Sequence, residues 1–263
     1  MARPIDYDQR QFDVYARGRA LSPEAIDAWM RAFARHAAPH RPLAVLDLGS
    51  GTGRFTPALA ETFGGPVHGV EPAARMREIA EASARHPQVT YLDGAAERIP
   101  LPDGSCDLVL MYLSFHHVGD REAAAREVAR VLRPSTGGRV LVRSTFADRM
   151  PDLLWHRYFP RARAIEEEVF PTVSEVERVF AAVGLRRLAL DQVPHRMAPS
   201  LAEYADRLHL RAVSTFEHMT EDEIAEGFAA LDRDAAAETE PRPVEEDCDL
   251  LVLGGRGGPG GPR

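Results

Sequence analysis

The chain has 263 residues, 44% of them hydrophobic, with a formal net charge of −8 and a pI near 5.7. That apolar content supports a core and excludes wholesale disorder, while the acidic balance argues against a chain that lives on nucleic-acid phosphates. All 32 basic residues are arginine, so no lysine is present to act as a Schiff base or general base. Cys106 and Cys248 alone cannot build a zinc site, and no histidine pair stands near either at ligand spacing, so no metal is expected. No apolar run reaches the roughly 20 residues of a membrane span, and the first residues lack an apolar signal core. The expectation is a soluble, cytoplasmic protein with reduced thiols and no membrane partner.

From Leu43 onward, short apolar runs alternate with amphipathic stretches, the pattern of a parallel α/β sheet. Strands are expected at 43–49, 66–71, 89–94, 106–114 and 138–146, with helices at 54–64, 73–86 and 121–134 between them. A helix at 172–185, capped by Thr172 or Ser174 and ended by Gly184, leads to a sixth strand at 186–193. Two further helices follow, each opening on a capping-box pattern: Ser200 with Glu203, and Thr220 with Glu223. Cys248–Gly254 reads as the last strand, and the Gly/Pro-rich tail at 255–263 has nothing to bury.

The stretch AVLDLGSGTGRF, 44–55, poses the functional question, because alternating glycines after a strand let a ligand approach the backbone. A phosphate loop would end in lysine and Ser or Thr, which is absent. A dinucleotide turn needs a glycine where Arg54 stands. An S-adenosylmethionine turn, an acid followed by G-x-G-x-G, fits Asp47, Gly49, Gly51 and Gly53. Glu71 ends the second strand 20 residues past Gly51, where a carboxylate reaches ribose hydroxyls; a solvated loop acid is the alternative.

Several motifs in order make the chain resemble the class I S-adenosylmethionine-dependent methyltransferases, in their small-molecule branch. They are VLDLGSGTG, GVEPAARM, GAAERIPLPDGSCDLV and LSFHHVGDREAAAREVARVLRPSTGGRVLV, together with the opening YDQRQFDVYARGR. The resemblance runs from Tyr7 to Phe146 and fades in the C-terminal third. It implies a Rossmann-like α/β fold: a seven-stranded, mostly parallel sheet with helices on both faces, an antiparallel last strand and S-adenosylmethionine as cofactor.

It also implies roles residue by residue. Glu71 would hold the ribose, and Gly49, Ser50 and Gly51 would lie under the ligand, with Asp47 orienting the turn. Met76 would pack on adenine or serve as an ordinary core residue, with Met111 nearby. Ala95 stands where relatives carry an acid for the adenine amine, which leaves the Ala96 N–H, Glu97 or Asp93 to read the base. Tyr7, Tyr15 and Arg19 would belong to a helical lid spanning 1–40, Arg19 meeting the ligand's carboxylate; the alternative is an amphipathic helix whose aromatics pack on the body.

Methyl transfer needs alignment, exclusion of water and, for a protonated acceptor, a base. His117, and less so His116, follow the fourth strand at the sheet edge where ligands bind. His156, Tyr158 and His195 are further candidates for the acceptor pocket. The core is expected over 41–193 and 247–254, interrupted at 194–246 by a helical cap that shapes that pocket with 148–168 or mediates a homodimer. The expected activity is methyl transfer to a small organic acceptor in secondary metabolism. The alternatives are a non-methylating use of the same cofactor, in a rearrangement or decarboxylation, and a non-catalytic binding module.

Overall fold

A computed structural model describes Gly18 and residues 21–255. Tyr7, Tyr15, Arg19 and the tail beyond Gly255 lie outside the described residues. The elements are α1 (Pro23–His36), β1 (Leu43–Leu48), α2 (Thr56–Phe63), β2 (Gly64–Val70), α3 (Ala74–Ser83), β3 (Val89–Leu92) and β4 (Leu108–Tyr112). They continue with α4 (Arg121–Val131), β5 (Arg139–Arg143), α5 (Pro160–Val169), α6 (Val173–Ala181), β6 (Arg186–Ala198), α7 (Leu201–His209), α8 (Glu221–Ala237) and β7 (Val244–Gly254). The seven strands form one sheet in the order β3-β2-β1-β4-β5-β7-β6. All neighbours are parallel except that β7 runs against both β5 and β6. The pattern of apolar runs predicts the parallel sheet, and the reversed last strand is the one the family resemblance implies. The central strands are buried on both faces, as βαβ crossovers require.

One face of the sheet is covered by α4 and α6, with Val128, Val131, Val176 and Phe180 buried against Val109 and Val140. The other face is covered by α1 and α2, whose Trp29, Phe33 and Phe63 pack on Val45, Leu108 and Leu141. Here the structure corrects the expected 1–40 lid. Its second half is a core helix: Ser22 caps α1 by accepting from the Ala25 N–H, and Pro23 sits in the first turn, where no N–H is needed. Buried Trp29 donates its indole N–H to His195 on β6 (3.0 Å). An aromatic amphipathic helix has the same sequence signature whether it covers a ligand or a sheet.

Strand ends also differ from expectation for local reasons. β4 stops at Tyr112 because Leu113 turns into the left-handed region, φ 54°. β6 and β7 pair all the way to Ala198 and Val244, so the expected cap boundaries at 194 and 246 fall inside the ladder. β5 ends opposite Leu250, so the outer part of the β6–β7 hairpin projects past its neighbour as a two-stranded ribbon. The helical insertion proper occupies 199–243. In it, Thr220 and Glu223 complete a capping box, whereas Ser200 caps α7 through its hydroxyl and Glu238 takes the Leu201 N–H. Ahead of α6 the capping residue is Thr172.

The insertion has its own core, shared with the segment after β5. Phe159 meets Phe216 edge-on (5.2 Å, 88°) and Phe228 (5.1 Å, 77°), and Trp155 packs on Phe216 (5.5 Å). Such pairings exploit the ring quadrupole as well as burial. α8 comes close enough for this contact only because position 227 is glycine: a Cβ there would lie 2.3 Å from the Phe159 ring. Gly227→Ala should therefore lower stability by about 1–3 kcal/mol in chemical denaturation, although alanine is the better helix former by about 1 kcal/mol. A stabilised variant would contradict this packing.

Candidate active site

At the carboxyl ends of β1, β2 and β4 the chain forms a cavity of about 720 Å³, open mouth included. Its construction starts at the glycine turn. Gly49, Gly51 and Gly53 all have positive φ (77°, 55° and 77°), which glycine adopts without steric penalty. The Gly49 N–H donates to the Val70 carbonyl (2.8 Å), and the Ser114 hydroxyl donates to the Leu48 carbonyl (2.7 Å). A Cβ on Gly49 would stand 2.4 Å from that of Ser114. The turn is thus clamped between β2 and the end of β4.

Glu71 is the charged centre of this cavity. Its Oε2 accepts from the Gly51 N–H and its Oε1 from the Ala73 N–H, both at 3.0 Å. These bonds fix the carboxylate plane. Met76 and Met111 are both buried and supply apolar wall, and Ala95, Ala96 and Glu97 border the cavity as well. Glu97 is occupied elsewhere: its Oε1 accepts from the N–H groups of Gly119 and Asp120. Asp93 pairs with Arg77 (2.9 Å) outside the cavity, so neither acid stands in simply for the one that Ala95 lacks.

Asp47 and Ser50 line neither this cavity nor its neighbour. Asp47 is 3% exposed and accepts from the Thr56 hydroxyl (2.7 Å), tying β1 to the start of α2. Burial pushes its carboxyl up to about 6, against the lowering effects of Thr56 and Arg54 and with a further small rise from Glu71. The Ser50 hydroxyl is buried with no hydrogen-bond partner.

A second cavity, about 970 Å³ with its mouth, lies beyond the end of β4 and under the insertion. Leu113 and His117 line both cavities. Leu113 is set there by its left-handed backbone and by an N–H bond to the Arg143 carbonyl (2.9 Å). His117 ends a short 3-10 turn, Phe115–His117, and its ring lies 3.9 Å from that of His116, which packs on Phe170 (4.4 Å) and faces the second cavity alone. Gly18, the one described residue ahead of Leu21, also borders this cavity.

Of the three histidine and tyrosine candidates in the C-terminal half, none lines either of these two cavities. His195 serves Trp29, Tyr158 donates to Asp234 (2.9 Å), and His156 meets Glu166 Oε2 (2.9 Å). Sequence reasoning passed over the groups that do line the second cavity: Arg143 at the end of β5, and Glu166, whose other oxygen accepts from the Thr215 hydroxyl (3.1 Å). Only the position of Arg143 at a strand's carboxyl end could have marked it; nothing local marks Glu166.

Comparison with known proteins fits this geometry. A family model described as "Methyltransferase domain" matches residues 46–142. An uncharacterized methyltransferase of Anoxybacillus flavithermus is 31% identical over 149 residues, 53% of this chain and 68% of that protein. The chain belongs to the class I S-adenosylmethionine-dependent methyltransferase family. An uncharacterized methyltransferase of Mycobacterium tuberculosis is 45% identical over 138 residues, 52% of this chain. The chain spans about half the length of that relative, 51%. The crystal structure of a putative methyltransferase from an antibiotic biosynthesis pathway in Anabaena variabilis superposes with a TM-score of 0.69. That match covers 88% of this chain and 99% of the other at 21% identity, a likeness of fold.

The family cofactor is S-adenosylmethionine, and the first cavity fits it. A carboxylate held edge-on by two backbone amides at the cavity's rim suits a ribose diol, and the apolar methionine walls suit adenine. Among the described residues no cluster of His, Cys, Asp or Glu could hold a metal ion, and no helix is long and apolar enough to cross a membrane.

The position of Asp47 sets a pH dependence. Its folded pKa lies above the ordinary 3.8, so the folded chain keeps a proton that the unfolded chain has lost. This contribution is fully present below pH 3.8 and lost as pH rises through about 6. Urea unfolding should show Asp47→Asn gaining on the wild type by about 2 kcal/mol between pH 4 and pH 7. A difference that does not change with pH would rule this out.

Proposed function

We propose that the chain transfers a methyl group from S-adenosylmethionine to a small organic acceptor held in the second cavity. The observation that carries this reading is the shared wall: Leu113 and His117 border both cavities at the carboxyl end of β4. When bound, S-adenosylmethionine supplies a methyl group activated by its sulfonium. The protein's part is then to orient both molecules and exclude water. Glu71 holds the donor from the side, with its plane fixed by the Gly51 and Ala73 amides. Leu113 fills the junction with hydrocarbon, and Trp155, Phe170 and Leu208 offer the acceptor apolar surface beside the polar groups of the cavity. His117 is placed to take a proton from an acceptor that carries one, in the pH range where imidazole titrates.

The form of the second cavity supports a small acceptor, since it is concave and lined by aromatic and aliphatic side chains with a few polar groups among them. Its roof is built by the insertion, including Tyr204, Leu208 and Val213. The cap therefore shapes the acceptor site in this reading, together with the segment from Leu153 to Phe170.

Methyl-labelled S-adenosylmethionine incubated with the protein and a panel of small organic acceptors should give labelled product. Calorimetry should show S-adenosylmethionine binding that falls by about 30-fold or more in Glu71→Ala, two charge-assisted hydrogen bonds being lost. His117→Ala should cut the labelling rate by about 100-fold and flatten the acidic limb of its pH profile. Absence of S-adenosylmethionine binding by the wild type would refute the proposal.

A further inference from the structure

The second cavity contains a cation whose hydrogen-bonding capacity the protein leaves largely unused. Arg143 closes β5 and is 9% exposed. Its guanidinium carries five N–H donors. Among the described residues it makes a single side-chain hydrogen bond, from Nη2 to the Cys248 sulfur (2.9 Å), a weak acceptor. Among the described residues its Nε is buried with no partner, and no carboxylate lies within salt-bridge distance. The ring of Tyr112 stacks beneath it at 5.2 Å. Burial opposes the charge, but the Cys248 sulfur, Tyr112 and more distant Glu246 outweigh that penalty and hold its pKa above the ordinary arginine value. The group is therefore a permanent, nearly dry cation.

The other charges around the cavity are differently placed. Arg207 donates to the Met197 carbonyl. Both Glu166 oxygens accept, from Thr215 and His156. Arg149, on the far side of Arg143, is locked to Asp249 through two bonds (2.8 and 3.2 Å). A buried cation without a carboxylate is costly unless something anionic reaches it, and a guanidinium fork matches two oxygens or one shared oxygen. Trp155, Phe170 and Leu153 provide an apolar lining alongside.

We infer that Arg143 anchors an ionised oxygen of the acceptor, a carboxylate, phenolate or enolate on a small organic acid with an apolar body. The inference rests on the reading of this cavity as the acceptor site, and it deepens that reading by naming the acceptor's charge.

The test uses the full chain loaded with S-adenosylhomocysteine, whose own binding is measured first by calorimetry. Benzoate and 4-nitrophenolate are then compared with their neutral counterparts, benzamide and 4-nitroanisole. The wild type should prefer the anions by about tenfold or more, and 4-nitrophenol should ionise at lower pH in its presence. Arg143→Gln should abolish the preference while keeping S-adenosylhomocysteine affinity, and Arg143→Lys should restore part of it. Glu246→Gln, which removes a negative charge that lines the same cavity and acts on Arg143, should strengthen anion binding severalfold. Benzoate against 4-nitrophenolate tells a carboxylate site from a phenolate one. A wild type without anion preference, or an Arg143→Gln variant that retains it, overturns the inference. If Arg143→Gln fails to fold, Glu246→Gln decides, and no gain in anion affinity there overturns it. Failure to bind S-adenosylhomocysteine would count against the proposed function instead, and anion preference is then still read on the protein alone.

Discussion

The carboxylate of Glu71 is the constraint on which the rest of the sheet's carboxyl edge depends. Its two oxygens receive the N–H of Gly51 after β1 and of Ala73 before α3, so one side chain joins two loops that the fold would otherwise leave separate. The glycine turn can accept this because it runs through positive φ at three positions. The Ser114 hydroxyl draws in the end of β4 by bonding to Leu48. The floor of the first cavity is therefore made rigid by polar groups with one charge among them, and a ligand meets acceptor sites already aimed. Preorganisation of this kind reduces the ordering cost of binding.

The second cavity depends on a different device. β6 and β7 continue as a ribbon past the end of β5, and the ribbon carries the insertion outward over the sheet edge. α1 supports the ribbon from one side through Trp29 and His195, and through His36 with Asp191 (2.7 Å). The aromatic cluster of Trp155, Phe159, Phe216 and Phe228 fastens the insertion to the segment that follows β5. The two cavities thus meet at Leu113 and His117, but each is built from separate parts of the chain.

That division explains what could be read from the residues alone. The parallel sheet, the glycine turn and Glu71 are written in short local patterns, because a βαβ unit places strand ends and their loops predictably. Met76 and Ala95 border the first cavity for the same reason. The sequence of α1 does not tell a lid from a core helix, since its buried stripe looks the same on either side of a ligand. Arg143, Glu166 and Thr215 come together only through the hairpin and the insertion, and no spacing in the sequence encodes that meeting. Their chemistry is a product of long-range packing. His195 and His156 show the converse, histidines that local reasoning offers to a site and packing assigns to Trp29 and Glu166.

The projecting ribbon also works as a ruler. Each residue added to a strand advances it by about 3.3 Å, and side chains alternate faces with a period of two. Inserting one residue in each strand would lift the cap by that step but turn Met197 and Glu246 away from the cavity they line. Inserting two in each would raise the roof by about 6.6 Å and keep every inward residue inward. Among proteins built on this plan, acceptor size would then change in even steps of hairpin length, while the donor site below stays as it is.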